Sequence, residues 1–431
     1  MRRTRWMRML GVFAGLMLVA TACGGRDDDD DAGGGGGDGG EDGGELATGP
    51  GFDGETIRLG VLTPTSGDVA VIGNPLTAGN EAYFAAVNAE GGVAGQFPVE
   101  LVIRDTGFQE ALAAQEYAAI KDDVVMFAQI LGTQINTSLL GSLEADNVVG
   151  APASLDSLWV REQQMVPIGA PYQIQSINGL SYLLDSGTAT TEDVLCVLRS
   201  SDLFGEAGLE GVEFGAEELG WNVAEVQQFP AGGQDFTAQI GALASAGCEV
   251  VHLTATPGDG ARALGTAAGG GFAPQWIANS PMWLTAAYAA PGREGLAQYV
   301  SQRVLIVSEG PAYGDESVPG MADLVANQGD TPPDIYFNFG YLQARAVHQV
   351  LEAAVELGDL SREGIVEALN SLDELTFDGL LGDYGWGGPD DRNPPRVNSI
   401  FRPNLTLPTG LELVESGIES EVAQAFEFTA E

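Results

Sequence analysis

The sequence IRLGVLTPTSG at residues 57–67 joins an apolar run of strand length to a turn of threonine, proline, serine and glycine. A helical pattern follows from about Leu76 to Asn88, and the next apolar run, Val99–Ile103, again has the length of a strand. Strands that alternate with helices in this way indicate βαβ units, in which helices cover both faces of a parallel sheet. This stretch therefore predicts an α/β protein.

The alternation continues along the chain and restarts further on. The first series adds predicted strands at 124–130 and 148–149 and helices at 111–120 and 136–144. The second series has predicted strands at 194–198, 221–226, 249–254 and 275–277 and helices at 205–219, 236–246 and 258–268. Because the pattern occurs twice, the sequence predicts two doubly wound lobes, although no sequence repeat links them.

Residues 1–23 have the pattern of a secretory lipoprotein signal peptide, in which four arginines precede an apolar run that leads to Cys23. That run is shorter than the roughly 20 residues of a spanning helix, so we interpret it as a cleaved signal. Cys23 resembles the lipid-acceptor cysteine of bacterial lipoproteins, which predicts an extracytoplasmic protein anchored to the cell membrane by lipid. The alternative is a soluble secreted protein. The acidic, glycine-rich segment 24–55 is predicted to be a disordered tether.

The composition excludes several classes of function. Lys and Arg number 18 against 61 Asp and Glu, a net charge of −43, so no basic surface for nucleic acid is expected. Two isolated histidines and two distant cysteines offer no metal-ligand spacing, and no nucleophile-elbow motif indicates a hydrolase. We therefore expect no metal, no cofactor and no enzymatic activity. Cys196 and Cys248 are either a disulfide or two buried thiols, and the sequence leaves both open.

The loops that leave the predicted strands share small hydroxyl residues, glycines and one aromatic. These loops are 63–67, 131–134, 151–154, 200–205, 254–257 and 279–281. In open parallel sheets, ligands bind at the carboxyl ends of the strands. Hydroxyls and backbone amides in a dry cleft suit a small polar solute, so we expect the binding site here.

Three stretches of the N-terminal third resemble the substrate-binding proteins of branched-chain amino acid ABC transporters. They are Ile57–Gly67, Gly79-Asn80-Glu81-Ala82 and Val87–Gly95, and the later segments Asp202–Glu206 and Gly247–Val251 agree with them. The resemblance covers about residues 56–400. It implies the type I periplasmic-binding-protein fold, with two lobes joined by a three-strand hinge: residues 56–172 with 300–378 in the first lobe, and 173–299 with 379–431 in the second.

The resemblance also implies a function and a site. A monomer would capture a small solute between its lobes and present it to the transmembrane subunits of an ABC permease. The alternative is a ligand-sensing receptor of the same fold that signals to a membrane partner. We expect ten residues to contact the ligand: Ser66 in the first strand-end loop, and the positions that match the family's ligand contacts. The full set is Ser66, Gly132, Thr133, Gln134, Ala153, Ser154, Leu155, Phe204, Thr256 and Ser280.

Two positions differ from the family pattern. Ile72 replaces an aromatic residue, and no acid lies near Ser280 to pair with the α-ammonium of an amino acid. An ammonium enclosed without a counter-charge is costly. The expected ligand is therefore an amino acid, an amide or a small carboxylate, with Asp202 or Asp259 as the possible source of a counter-charge. The polar connection 387–398 has no assigned role.

Overall fold

The computed structural model describes residues 46–429. The predicted signal peptide, Cys23 and residues 24–45 of the predicted tether lie outside the described residues. Within residues 46–429, no helix is long and apolar enough to cross a membrane.

The first part of the chain forms alternating strands and helices as predicted, except that the strand predicted at 148–149 lies at 150–153 and the helix at 172–185 was not predicted. In chain order these are β1 (Ile57–Thr63), α1 (Ala70–Ala89), β2 (Val99–Asp105), α2 (Glu110–Ile120), β3 (Met126–Leu131), α3 (Thr133–Asp146), β4 (Gly150–Ala153) and α4 (Tyr172–Asp185). The four strands form one parallel sheet in the order β2-β1-β3-β4. Every residue of β3 is buried, as expected for a strand with helices on both faces.

The second part forms most of the other sheet. In chain order it contains β5 (Leu195–Ser200), α5 (Leu203–Leu219), β6 (Val223–Phe229), α6 (Thr237–Ala246), β7 (Val250–Thr254), α7 (Pro257–Gly270), β8 (Gln275–Asn279), α8 (Thr285–Tyr288), α9 (Glu294–Arg303) and β9 (Val304–Ser308). These five strands are parallel, and β9 pairs with β8.

The last part of the chain contributes to both lobes. It contains α10 (Met321–Gln328), α11 (Ile335–Leu357), α12 (Arg362–Ser371), β10 (Glu374–Leu375), β11 (Tyr384–Gly385), β12 (Asn398–Pro403), β13 (Leu411–Ile418) and α13 (Glu421–Ala425). Helix α11 packs along α1 in the first lobe. Strands β12 and β13 extend the second sheet in antiparallel orientation, which gives the order β13-β12-β9-β8-β7-β5-β6.

Two predicted lobe boundaries are wrong. Residues 300–308 were assigned to the first lobe, but Val304–Ser308 is a strand of the second sheet. Residues 379–386 were assigned to the second lobe, but Leu380, Leu381 and Trp386 lie in the hydrophobic core of the first. The chain therefore changes lobes after residue 308 and again before residue 398.

The predicted tether is too long at its C-terminal end. Phe52 is 5% exposed and packs in the first-lobe core, and its ring meets Phe97 edge to face. The amide of Ala47 donates to the carbonyl of Gly358. Burial of the Phe52 ring offsets the entropy of ordering these residues, which composition alone did not indicate.

Cys196 and Cys248 form a disulfide, which resolves the alternative that the sequence left open. Cys196 lies in β5, and Cys248 precedes β7, the strand that pairs with β5. Strand pairing therefore brings the two cysteines together near the amino ends of the strands, at the end of the second sheet away from the strand-end loops.

Candidate functional site

A cavity of ≈ 150 Å³ lies between the lobes at the carboxyl ends of their strands. Nine of the ten residues predicted to contact ligand line it. They are Gly132, Thr133, Gln134, Ala153, Ser154, Leu155, Phe204, Thr256 and Ser280. First-lobe residues lie on one wall and second-lobe residues on the other, so a ligand in the cavity would contact both lobes.

Ser66, the tenth predicted residue, does not line the cavity. Its exposed hydroxyl donates to Oδ2 of Asp105 at 2.6 Å. The other oxygen of Asp105 accepts the amides of Thr65 and Gly107. These hydrogen bonds lower the pKa of Asp105 to about 2. Ser66 therefore stabilises the loop that follows β1, and its proposed ligand contact has no support from the geometry.

The N-terminus of α3 opens into the cavity without a side-chain cap. Gly132 occupies the N-cap position, where no side chain hydrogen-bonds to the helix, and Gly132, Thr133 and Gln134 all line the cavity. The backbone of Gly132 has φ 111°, and a Cβ there would lie 2.7 Å from the ring of Phe108, so the position requires glycine. The first amides of a helix have no intrahelical partner, and the helix dipole favours an anion beside them.

A pair of hydroxyls lies beside this helix terminus. Oγ1 of Thr133 and Oγ of Ser154 are 2.8 Å apart, and both side chains are buried. The phenol of Tyr172 is also hydrogen-bonded to Ser154, and burial raises the pKa of Tyr172 well above its usual value. These three groups are neutral hydroxyls at physiological pH, so they offer hydrogen bonds without adding charge.

The second-lobe helices that begin at the cavity differ from α3. Asp202 caps α5 by accepting the amide of Gly205. Thr256 caps α7 by accepting the amide of Asp259. A side chain therefore satisfies one amide at each of these two helix ends, whereas α3 has no side-chain cap and offers its first amides to an anion.

Away from this polar end, the cavity walls are largely apolar, which differs from the small polar cleft predicted from the loops. The apolar side chains come mainly from helices and from segment 380–381, and include Val69, Ile72, Leu76, Phe108, Leu131, Leu155, Phe204, Met321, Leu324, Ile335, Phe339, Leu342, Leu380, Leu381, Phe401 and Leu411. The strand-end rule does not identify wall residues that lie within helices, such as Leu76, Met321 and Phe339.

Among the described residues, two acidic side chains and no Lys, Arg or His side chain line the cavity. The acids are Asp202 and Glu309. Asp259 was one predicted source of a counter-charge, but it is buried and paired with Arg262, whose Nη2 lies 2.5 Å from Oδ1. It does not line the cavity. Among the described residues, no cluster of three or more His, Cys, Asp or Glu side chains could hold a metal ion.

Glu309 is the residue that sequence reasoning missed. It follows directly after β9, so the rule that ligands bind at the carboxyl ends of strands would have found it had β9 been assigned to the second sheet. Its carboxyl accepts a hydrogen bond from Nε2 of Gln175 at 2.5 Å. Burial raises the pKa of Glu309 to about 8, although the hydrogen bond from Gln175 opposes this shift.

The fold and the cleft define a two-lobed solute-binding protein. The profile of the periplasmic binding protein family matches residues 56–399. The chain belongs to this family, in the type I, Leu/Ile/Val-binding branch, whose members are extracytoplasmic solute-binding proteins.

Individual relatives are distant in sequence and similar in structure. The Leu/Ile/Val-binding protein homolog 7 of Brucella abortus (strain 2308) is 23% identical over 333 residues, which cover 74% of this chain and 81% of the relative. A fatty acid ABC transporter substrate-binding protein from Thermomonospora curvata superposes with a TM-score of 0.82 at 25% identity, covering 89% of this chain and 98% of that one. A branched-chain amino acid ABC transporter protein from Thermus thermophilus, solved with bound valine, has a TM-score of 0.72 at 18% identity and covers 86% and 98%.

Proposed function

We propose that this protein is the substrate-binding component of an ABC importer and that its ligand is a carboxylic acid with an apolar chain. The observation that carries the proposal is the division of the cavity into two chemically different parts. The uncapped terminus of α3 and the hydroxyls of Thr133 and Ser154 suit a carboxylate. The remaining walls suit an alkyl chain.

The apolar walls offer more than a small polar solute needs. Each buried methylene group contributes about 0.8 kcal/mol to binding, which corresponds to about a fourfold change in Kd. The similar protein from Thermomonospora curvata belongs to a fatty acid ABC transporter, which agrees with a chain-bearing acid as ligand here. A cavity of ≈ 150 Å³ is comparable in size to one that accepts benzene, so roughly six carbon atoms fill it in this structure, and a longer chain such as that of octanoate requires the lobes to separate further.

A branched-chain amino acid is the second candidate. The names of the Brucella relatives and the valine-bound Thermus protein favour it. Its ammonium group would need an anionic partner in the cavity, and Glu309 is an acid that lines it. Ser280 and its neighbours supply none, as the sequence indicated.

In this proposal the protein binds and releases its ligand without making or breaking a covalent bond. The ligand contacts both lobes, favours the conformation in which they are closed, and is delivered to the permease in that form. A lipid on Cys23 keeps the monomeric protein at the membrane surface. A receptor that reports the ligand to a membrane partner would use the same site, and deletion of the gene separates the two: an importer component is needed for uptake of labelled ligand, and a receptor is not.

Binding is tested with the purified protein after removal of any co-purified lipid. The panel contains straight-chain monocarboxylates from butanoate to decanoate, the corresponding amides, and leucine, isoleucine and valine. Calorimetry should give a Kd that falls about fourfold per added methylene group until the cavity is filled. A ligand present at 100 times its Kd stabilises the folded protein by about 2.7 kcal/mol, which thermal unfolding detects. If no chain-bearing acid binds, or if affinity does not depend on chain length, the proposal is wrong.

A further inference from the structure

Glu309 lies where the chain passes from β9 towards the first lobe, and its carboxyl is partly exposed to the cavity. It lies near enough to Tyr172, which is hydrogen-bonded to Ser154, for its charge to add to burial in raising the pKa of that phenol. Leu155, the residue after Ser154, and Glu309 both lie next to Gly169. A Cβ added to that glycine would be 3.1 Å from the side chain of Leu155 and 3.6 Å from Cγ of Glu309. Among the described residues, no Lys, Arg or His lines the cavity beside Glu309. An ionised Glu309 would therefore repel a ligand carboxylate, and its presence in the cavity requires an explanation.

The hydrogen bonds of Gln175 determine which oxygen of Glu309 accepts a hydrogen bond from a side chain. The amide of Ser280 donates to Oε1 of Gln175 at 3.0 Å. Since a backbone N–H only donates, the side-chain oxygen of Gln175 must face Ser280, and its NH2 group must face Glu309. Oε1 of Glu309 therefore accepts a hydrogen bond from Gln175, so the other oxygen carries the proton when the carboxyl is neutral; the backbone amide of Glu309 also hydrogen-bonds to the carboxyl.

We propose that Glu309 selects the ligand head group: as a neutral acid it donates a hydrogen bond to the ligand carboxylate, and the two carboxyl groups share one proton in the bound state. The inference rests on the proposed function, because it takes the ligand to be a carboxylic acid. The proton comes from solvent whenever Glu309 is ionised before binding. The same residue, when ionised, would instead attract an ammonium group, so the sign of the pH dependence distinguishes the two ligand classes.

The other titratable groups around Glu309 do not account for such a dependence. Burial raises the pKa of Tyr172 on α4, of Tyr336 on α11 and of Tyr313 on the segment after β9, so these phenols stay neutral near pH 8. Asp156 accepts the amide of Leu158 and the side chain of Gln173. Asp202 caps α5, and it is the acid against which Glu309 is compared below.

The test uses octanoate as the probe and octanamide as a ligand whose head group does not titrate. With the pKa of Glu309 at about 8, the Kd for octanoate should be about tenfold higher at pH 9 than at pH 7. Calorimetry at pH 9 in buffers of different ionisation enthalpy should show uptake of about 0.9 proton per octanoate bound. The Kd for octanamide should change by less than roughly twofold between pH 7 and pH 9, because an ionised Glu309 does not repel its uncharged head group.

Two variants assign the effect to one residue. Glu309→Gln keeps a hydrogen-bond donor and removes the titration, so octanoate should bind with the same Kd at pH 7 and pH 9 and without proton uptake. Asp202→Asn is the matched control and should keep the pH dependence of the parent protein. Circular dichroism verifies that both variants are folded.

Several results of these measurements would contradict the inference or the proposed function. Octanoate binding that is independent of pH in the parent protein, or a pH dependence that survives in Glu309→Gln, overturns the inference and leaves the proposed function standing. Failure of every chain-bearing acid to bind at pH 6 overturns the proposed function as well. Affinity for leucine that rises from pH 7 to pH 9 and is lost in Glu309→Gln would assign Glu309 to an ammonium group instead.

Discussion

The hydroxyl oxygens of Thr133 and Ser154 lie 2.8 Å apart and join the ends of two neighbouring strands at the cavity. Thr133 begins α3, and Ser154 follows β4. The pair therefore brings a helix N-terminus and two hydroxyls to one point of the first-lobe wall. Neither hydroxyl is charged, so specificity for a carboxylate would come from donor geometry and the helix dipole.

Replacement of Thr133 by alanine should weaken binding of octanoate by about tenfold to a hundredfold. A hydrogen bond to an ionised oxygen contributes about 1.5 to 3 kcal/mol, and the substitution removes one such donor. Thr133→Ser is the matched control and should retain most of the affinity, because it keeps the hydroxyl. Calorimetry at pH 7 measures both. Equal affinity of Thr133→Ala and the parent protein would place the head group elsewhere in the cavity.

Replacement of Asp105 by asparagine should lower stability at pH 7 much more than at pH 2.5. The pKa of Asp105 in the folded protein is about 2, because the Ser66 hydroxyl and two amides stabilise its ionised form, and it is below the usual 3.8. Its contribution is therefore present above pH 4 and is lost as the pH falls towards 2.

Urea unfolding at pH 7 and pH 2.5 measures this difference. The parent and Asp105→Asn should differ most at pH 7, and only about a third of that difference should remain at pH 2.5, where an Asp105 with a pKa of about 2 is still partly ionised in the folded protein. The exposed Asp68, changed to asparagine, is the control and should have little effect at either pH. A constant difference between Asp105→Asn and the parent would show that ionisation of Asp105 does not stabilise the loop.

Local sequence predicted most of the elements in residues 57–277, but not the strand at 304–308 or its long-range pairing. The run Ile57–Leu62 has the composition of a buried strand, and β1 occurs there. The run Val304–Ser308 is equally strand-like, but its sequence does not indicate whether it pairs with a strand of the first or of the second lobe. Pairing of Leu305 with Ile277 decides this, and it joins residues distant in the chain.

The same limit applies to the site. The strand-end rule located Thr133, Ser154 and Phe204 at the cavity because those loops follow strands that were assigned correctly. It missed Glu309 because no strand was predicted at 304–308 and these residues were given to the first lobe. Ser66 also follows a strand, but the nearby Asp105 binds its hydroxyl, a contact between loops that spacing does not reveal.

Removal of the disulfide should lower the stability of the protein without changing its affinity for ligand. A bridge between residues 52 positions apart restricts the unfolded chain, and in the chain-entropy model this contributes about 4 kcal/mol. Because Cys196 and Cys248 lie near the amino ends of their strands, the cavity at the opposite ends should be unaffected. The double variant Cys196→Ala/Cys248→Ala should unfold at lower urea concentration, bind octanoate like the parent, and be insensitive to reductant. A change in Kd would contradict this separation.

Replacement of Arg161 by alanine should destabilise the connection 387–398, for which the sequence offered no role. Nη1 of Arg161 donates to the carbonyls of Pro389 and Arg392, both at 2.8 Å, and Nε donates to the carbonyl of Phe428 at 3.2 Å. One guanidinium thus holds the last crossing between the lobes and the C-terminal segment together. A hydrogen bond to a charged group contributes about 1.5 to 3 kcal/mol, so loss of the set should cost at least about 2 kcal/mol of unfolding free energy.

Lysine at position 161 should recover only part of this stability, because an ammonium group lacks the planar fork that reaches several carbonyls at once. The exposed Arg402, changed to alanine, is the control for loss of a positive charge from this acidic protein. Urea unfolding should therefore order the proteins as parent and Arg402→Ala, then Arg161→Lys, then Arg161→Ala. If Arg161→Ala unfolds like Arg402→Ala, the carbonyl contacts do not hold the connection, and its position depends instead on Arg392, whose guanidinium lies 4.4 Å from the centre of the Trp386 ring.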